Sequence, residues 1–409
     1  MATGNTAFKV ADLDFTSIKS NLKDFLKSQN TFTDYDYEGS GMSVLIDVLA
    51  YNTFYNSYYM NMIANESFLD TAQIRQNILS HAKMINYVPN SRRGAEAVVD
   101  VVVTPGQNED QDTSFLMLDK YTRFYGVSKN NDNIPFIAFN SNSAYKDGNS
   151  FTFANVTLKQ GEVVTLEYMV TANNTARKFE IPSQNVDTTT LIVKVQESTA
   201  NSYIEEYFLA DDITTLKSNT RAYFIEENDK LNYTVYFGDG VIGKRPANNN
   251  IVMVTYLDTM GASGNNISKF ALSSDLIGNL YRSNVSITTN ARSYAGVDKE
   301  SVDQIKFRAP NFYTTQNRAV TKEDYKTLVT KNYQNIDAVN VWGGEELDPP
   351  VYGKIFLSLK TKGFSTLTRL EKDRIKNDLI NRVNVLTVTP EIVDPDYTFI
   401  LVRGLVNYI

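Results

Sequence analysis

Apolar positions along the first ninety residues recur at helical spacing. Phe15, Ile18, Leu22, Phe25 and Leu26 predict a short amphipathic helix, with Asp14 or Thr16 placed to cap its first turn. A polar loop, 30–41, separates it from a longer helix. There Leu45, Val48, Leu49, Tyr51, Tyr55, Tyr58, Tyr59 and Met62 form an apolar face that widens into aromatics, a candidate surface for a partner helix. A third helical stretch is expected from about Ser67 to Ile85, stopped by Pro89.

From Ala95 the period shortens to two. Strands are expected at 97–103, 122–125, 136–139, 151–156, 163–170, 178–181, 191–195, 221–225, 232–237 and 251–256, with polar loops between them. The run 261–266 contains Gly261 and Gly264 and reads as a flexible connection closing this β-rich block. A helix should then start near Asp298 and end at Pro310. Thr321 and Asp324 have the spacing of a capping box, with Tyr325, Leu328 and Val329 on one helical face. Strands at 338–341 and 354–360, a helix at 368–383 with Leu370, Ile375, Leu379 and Ile380 inward, and strands at 389–393 and 397–409 complete the pattern. The expected fold class is α+β and multidomain: a helical region at 1–94, a β-rich domain at 95–296, and an α+β domain of ferredoxin-like order at 297–409. The apolar run 405–409 at the end reads as mid-strand, either tied into a sheet or cut short of a longer chain.

At 409 residues the chain can hold several cores. Its 25 Tyr and 22 Phe suit large half-buried contact surfaces, and strand-rich proteins favour the same residues. A net charge of -7, with no basic run, argues against nucleic acid as a partner. The absence of cysteine excludes disulfides and thiolate chemistry. No signal-peptide pattern opens the chain and no run of about 18 apolar residues exists, so no membrane role is expected.

Candidate chemistry is sparse, and no catalytic residue, metal site or cofactor is expected. Asp34, Asp36, Glu38 and Gly39 mimic the opening of a calcium loop, but Leu45 stands where the closing glutamate belongs. His81 is the only histidine and has no imidazole partner for a triad or metal site. Arg92 and Arg93 read as solvated or paired, and Trp342 as a packing residue. The densest punctuation is Phe237, Gly238, Asp239, Gly240, then Gly243 and Pro246, a shaped turn between two strands. It lacks the Lys-Ser/Thr ending of a phosphate loop, and Pro246 removes an N–H donor there. Asp239 is best suited to bonding its own backbone.

Three separated blocks carry a family resemblance. The turn 237–246 resembles the signature of the baseplate J-like family, wedge components of contractile phage tails. A second block, from Ala295 and Gly296 to Arg318, Ala319, Val320, Thr321, Asp324 and Tyr325, is similar to that family's other marked region. Residues 34–40, 49–53, 66–68 and 86–89 resemble the N-terminal part of the larger wedge subunit of T4-like myophages.

The resemblance implies a structural virion protein, assembled in the host cytoplasm into the tail baseplate, with no enzymatic role. Its implied partners are a second copy of itself within the wedge, a second wedge protein joined through the N-terminal helices, a sheath-initiator wedge protein, neighbouring wedges and the central hub. Rearrangement at these interfaces during contraction would need pivots, for which Gly261, Gly264 and Gly296 are the candidates. The other classes weighed are a receptor- or glycan-binding tail protein and a tail-associated hydrolase. T4-like members continue beyond the point matching Ile409.

Overall fold

The computed structural model describes residues 14–29, 35–106, 112–128, 130–174, 176–210, 216–273, 284–333, 336–361, 367 and 369–396. The strand expected at 397–409 and the residue Asp34 lie outside these. The chain forms two compact units, one of residues 1–89 with 301–313 and one of residues 90–300 with 314–409.

In the first unit, α1 (Phe15–Lys27) is capped by Asp14, whose carboxylate accepts from Thr16 N at 3.0 Å and Ser17 Oγ at 2.6 Å. Helix α2 (Gly41–Glu66) starts at Ser40, whose hydroxyl accepts from Ser43 N. Lys19 of α1 pairs with Asp47 of α2 at 2.5 Å, and the Phe15 ring meets Tyr51 edge-on. Helix α3 (Arg75–Met84) starts later than its apolar spacing suggests, because 67–74 is a series of turns. Its N-cap, Ile74, has no side-chain cap. The Glu66 carboxylate substitutes, accepting from Gln73 N at 2.8 Å, Ile74 N at 3.2 Å and Asn77 Nδ2 at 2.8 Å. Burial pushes the Glu66 carboxyl up, but these donors and nearby Lys306 hold it below the usual carboxylate range. Its contribution is therefore present above that range and lost as pH falls through the lowered value. Glu66→Ala is expected to cost about 1 kcal/mol, on the scale of a lost N-cap. Thermal unfolding with exchange read at residues 75–79 checks this.

Helix α4 (Val302–Thr315) runs through Pro310, where the sequence predicts an end. Proline costs a hydrogen bond in a helix interior, yet packing outweighs it here. Ile305 and Ala309 are fully buried with Ala72, Ile78, Ala82 and Tyr87, and Phe312 beyond the proline meets the Tyr87 ring at 5.8 Å. Asn311 Nδ2 donates to Phe307 O one turn back at 2.8 Å.

Among the described residues the second unit holds three sheets. The strands of the first are β1 (Glu96–Val103), β2 (Phe115–Leu118), β3 (Arg123–Val127), β4 (Asn133–Ala138), β5 (Asn142–Asp147), β6 (Ser150–Gln160), β14 (Phe270–Leu272) and β15 (Val285–Tyr294). Their order is β14-β3-β4-β6-β1-β15, with β5 pairing β6 and β2 at one side. The second sheet contains β7 (Glu162–Met169), β8 (Lys178–Ile181), β9 (Val186–Gln196), β10 (Ile204–Leu209), β11 (Ala222–Glu227), β12 (Tyr233–Phe237) and β13 (Ile251–Asp258), in the order β7-β13-β9-β10-β11-β12-β8. Alternation places Val99, Val101, Phe151 and Phe153 in one core and Val193, Val235, Val252 and Val254 in the other.

The C-terminal module combines α5 (Lys322–Asn332), β16 (Ile336–Gly343), β17 (Lys354–Thr361), α6 (Arg369–Ile375) and β18 (Thr389–Val393). Helix α6 continues through a π turn, Lys376–Ile380, into α7 (Asn381–Val383). Strands β16 and β17 are antiparallel, whereas β17 and β18 are parallel, joined by the helical crossover that parallel pairing requires. The architecture is thus mixed α+β, with N-terminal helices and a β-rich middle, as the periodicity predicts.

Candidate assembly surfaces

The described helices expose one conspicuous surface. In α2 only Ser43, Ile46, Ala50 and Asn61 are buried. Every residue of the predicted partner face is open: Leu45, Val48, Leu49, Tyr51, Tyr55, Tyr58, Tyr59 and Met62 are each 39–60% exposed. Val44, on the same predicted helix, is equally open, as are Met60 and Ile63, which lie outside the predicted set. Their signal lay in composition: between Gly41 and Asn65 the only charged residue is Asp47, and Lys19 already neutralises it.

At 1.5 Å per residue the 26-residue helix is about 39 Å long. It therefore offers a long uncharged surface on more than one side. Tyrosines at 51, 55 and 59 follow one another along it with ring centroids 4.8 and 6.4 Å apart, and the hydroxyls of Tyr51 and Tyr55 lie at 3.1 Å. That bond pushes the Tyr55 phenol pKa up. A contiguous apolar stripe of this size is characteristic of protein contact surfaces, and tyrosine is enriched in them.

The turn 237–246 is rigid and internally bonded. Asp239 Oδ1 accepts from Ile242 N at 2.9 Å and Val241 N at 2.8 Å, and these backbone donors hold its carboxyl below the ordinary range. Gly240 and Gly243 have φ of 96° and 86°, and Gly240 N donates to Gly243 O. Phe237 and Gly238 are buried. A Cβ on Gly238 would come within 1.9 Å of Ile242 O. Arg177 Nε donates to Pro246 O at 3.1 Å, Lys244 N to Thr220 O at 2.7 Å, and the Lys244 ammonium pairs with Glu205. Asp239 is thus occupied with its own backbone. Val241 at the tip is 72% exposed.

The second motif is a helix start. Asp324 N donates to Thr321 Oγ1 at 3.2 Å while Asp324 Oδ2 accepts from Thr321 N at 2.8 Å, the reciprocal pair of a capping box. Tyr325 and Ala319 are buried, and Ala319 N bonds Val383 O, fixing α5 beside α7. Val320 and Arg318 remain at the surface.

The three candidate pivots lie together. Gly261 and Gly264 are the buried ends of a 3-10 helix rather than parts of an open linker. A Cβ on Gly296 would meet Gly261 O at 2.4 Å, and one on Gly264 would meet Gln160 Cγ at 2.8 Å. Gly264 and Gly296 supply close approach, and Gly261 supplies both that and a left-handed φ of 62°.

Other singled-out residues have local duties. Asp36 pairs with Lys23 at 3.3 Å, and His81 Nε2 lies 2.9 Å from Glu66 O. Arg93 Nη1 donates to Asn332 O, Arg92 Nη1 donates to Asn185 Oδ1, and Trp342 stacks on Phe356 with centroids 6.0 Å apart.

Two family descriptions match these surfaces. Residues 14–87, which contain α1 to α3, match "Baseplate wedge protein gp6-like, helical domain", and residues 321–393, from α5 to β18, match "Baseplate structural protein gp6, C-terminal domain I". The class of protein to which the chain is similar is therefore the baseplate wedge protein. Among curated proteins, baseplate wedge protein gp6 of Enterobacteria phage T4 is 28% identical over 417 residues, covering 96% of this chain. The chain spans 60% of that relative's length. A cryo-EM structure of the anti-feeding prophage baseplate aligns loosely, at a TM-score of 0.33 and 11% identity, over 95% of this chain and 81% of that one. Both family descriptions and the curated relative are baseplate proteins by name.

Proposed function

We propose that this chain is a structural wedge subunit of a contractile-tail baseplate, also related to the baseplate J-like family through the turn 237–246, and that it performs no catalytic step. One observation carries the reading: the uncharged, exposed face of α2 falls within the residues that match the wedge helical domain. An exposed apolar helix of this kind is suited to an intermolecular bundle.

The α2 face joins a second copy of the chain and a second wedge protein in that bundle. A sheath-initiator protein, neighbouring wedges and the hub contact the remaining surfaces. During contraction the interfaces rearrange about pivots, and Gly261, Gly264 and Gly296 remain the candidates, although any pivot there has to part a packed glycine junction.

Co-expression with its gene neighbours, followed by light scattering on the eluted species, tests the assignment. A defined hetero-complex is expected. A stable monomer indifferent to every neighbour would overturn it, and binding of the isolated chain to glycans would favour the receptor-binding alternative.

A further inference from the structure

Residue 90 follows, and residue 300 precedes, two of the places where the chain passes between its compact units. Within the second unit these residues hold one another. Asn90 N donates to Glu300 Oε2 at 3.0 Å, and Glu300 N donates to Asn90 O at 3.3 Å. Further along, Arg93 and Val297 exchange backbone hydrogen bonds of 2.9 and 3.1 Å.

The same short segment closes the C-terminal end of α5. Asn90 Nδ2 donates to Lys331 O at 2.6 Å and Arg93 Nη1 to Asn332 O at 2.8 Å, carbonyls that the helix cannot satisfy itself. Its other neighbours are on β9. Ser91 Oγ lies 2.8 Å from Thr188 Oγ1, and Gly94 N donates to Asp187 Oδ2 at 3.1 Å. Glu300 is 1% exposed, so its carboxylate needs these partners. The Lys331 ammonium shares its surroundings: burial brings it down to about 8, with the charge of Glu300 opposing that shift.

We propose that residues 90–93 and Glu300 form a coupling joint, through which load arriving along the chain at residue 90 or residue 300 reaches the C-terminal end of α5 and the three-stranded sheet beside it. A loop of ordinary loop residues would dissipate such load. This joint grips a helix end by two side chains, while the two segments that carry and brace them are held to each other by backbone hydrogen bonds. The inference rests on the wedge reading only for the source of the load, since the joint belongs to the isolated chain.

Hydrogen exchange on the purified chain tests it, with Asn90→Ala, Glu300→Ala and the conservative Glu300→Gln, which keeps an acceptor for Asn90 N. Amides at 328–332 are expected to exchange at least ten-fold faster in both alanine variants and to recover partly in Glu300→Gln. The strand amides at 97–103 and 252–257 should stay within two-fold of the parent. Unchanged exchange at 328–332 would overturn the joint, as would an equal loss over α5 and both large sheets, which marks general destabilisation. The result is independent of co-assembly, so failure of the wedge assignment would be seen separately.

Discussion

Gly238→Ala is expected to destabilise the β-rich part of the chain by about 3 kcal/mol or more, the upper range for forcing atoms into a packed site. The added methyl would sit 1.9 Å from Ile242 O and 2.7 Å from Gly243 O, both backbone atoms with no side-chain freedom to retreat. Gly243 is itself held by its N–H to Lys217 O, and Lys244 by its N–H to Thr220 O, so the turn cannot shift as a whole without breaking those bonds. Gly240→Val provides a contrast. Its Cβ has open space, with the nearest atom Arg245 Cβ at 3.8 Å, so the cost is backbone strain alone at φ 96°, about 1–3 kcal/mol. Denaturant unfolding of both variants checks the order. Equal stability of Gly238→Ala and the parent would show that the turn is not built as described.

The second large effect is on assembly. Leu49→Lys with Tyr59→Lys is expected to leave folding nearly intact and to weaken partner binding by at least 100-fold. Both residues are more than half exposed, and lysine is a good helix former, so the isolated chain loses little. In a bundle, each ammonium would replace an apolar contact in a desolvated surface, and truncating a central contact there typically costs about 2 kcal/mol or more. Two such losses exceed the roughly 2.8 kcal/mol that a 100-fold change needs. Helicity by circular dichroism separates the folding effect from the binding effect. Undiminished co-assembly of the double variant would remove α2 from the interface.

Much of the helical unit was legible because a 3.6-residue period and the cap at Asp14 speak locally, whereas the cap at Ser40 was read only as part of a polar loop. The capping box at Thr321 and Asp324 was legible for the same reason. What failed was non-local. Pro310 reads as a stop, and only the burial of Ile305, Ala309 and Phe312 around Tyr87 explains why α4 continues. The start of α3 depends on Glu66, whose carboxylate accepts from Gln73 N and Ile74 N, seven and eight positions further along the chain.

Strand β15 was missed because Ser286, Thr288, Asn290 and Arg292 alternate with positions that are only half buried, and β5 and β10 because each buries a single residue, Ala144 and Tyr207, so no alternation of period two stands out. The exposed face of α2 was visible as an aromatic stripe. Glu300, by contrast, was one carboxylate among 47, and nothing beside it in the sequence marks it as buried.

In the assembled particle the α2 face is expected to be covered by protein. A photoreactive phenylalanine analogue in place of Tyr55, carried through tail assembly and irradiated, tests it most directly. Crosslinks are expected to a second copy of the chain or to another wedge component, with contact sites along one side of α2. Complete assembly with no crosslink at Tyr55 would contradict it.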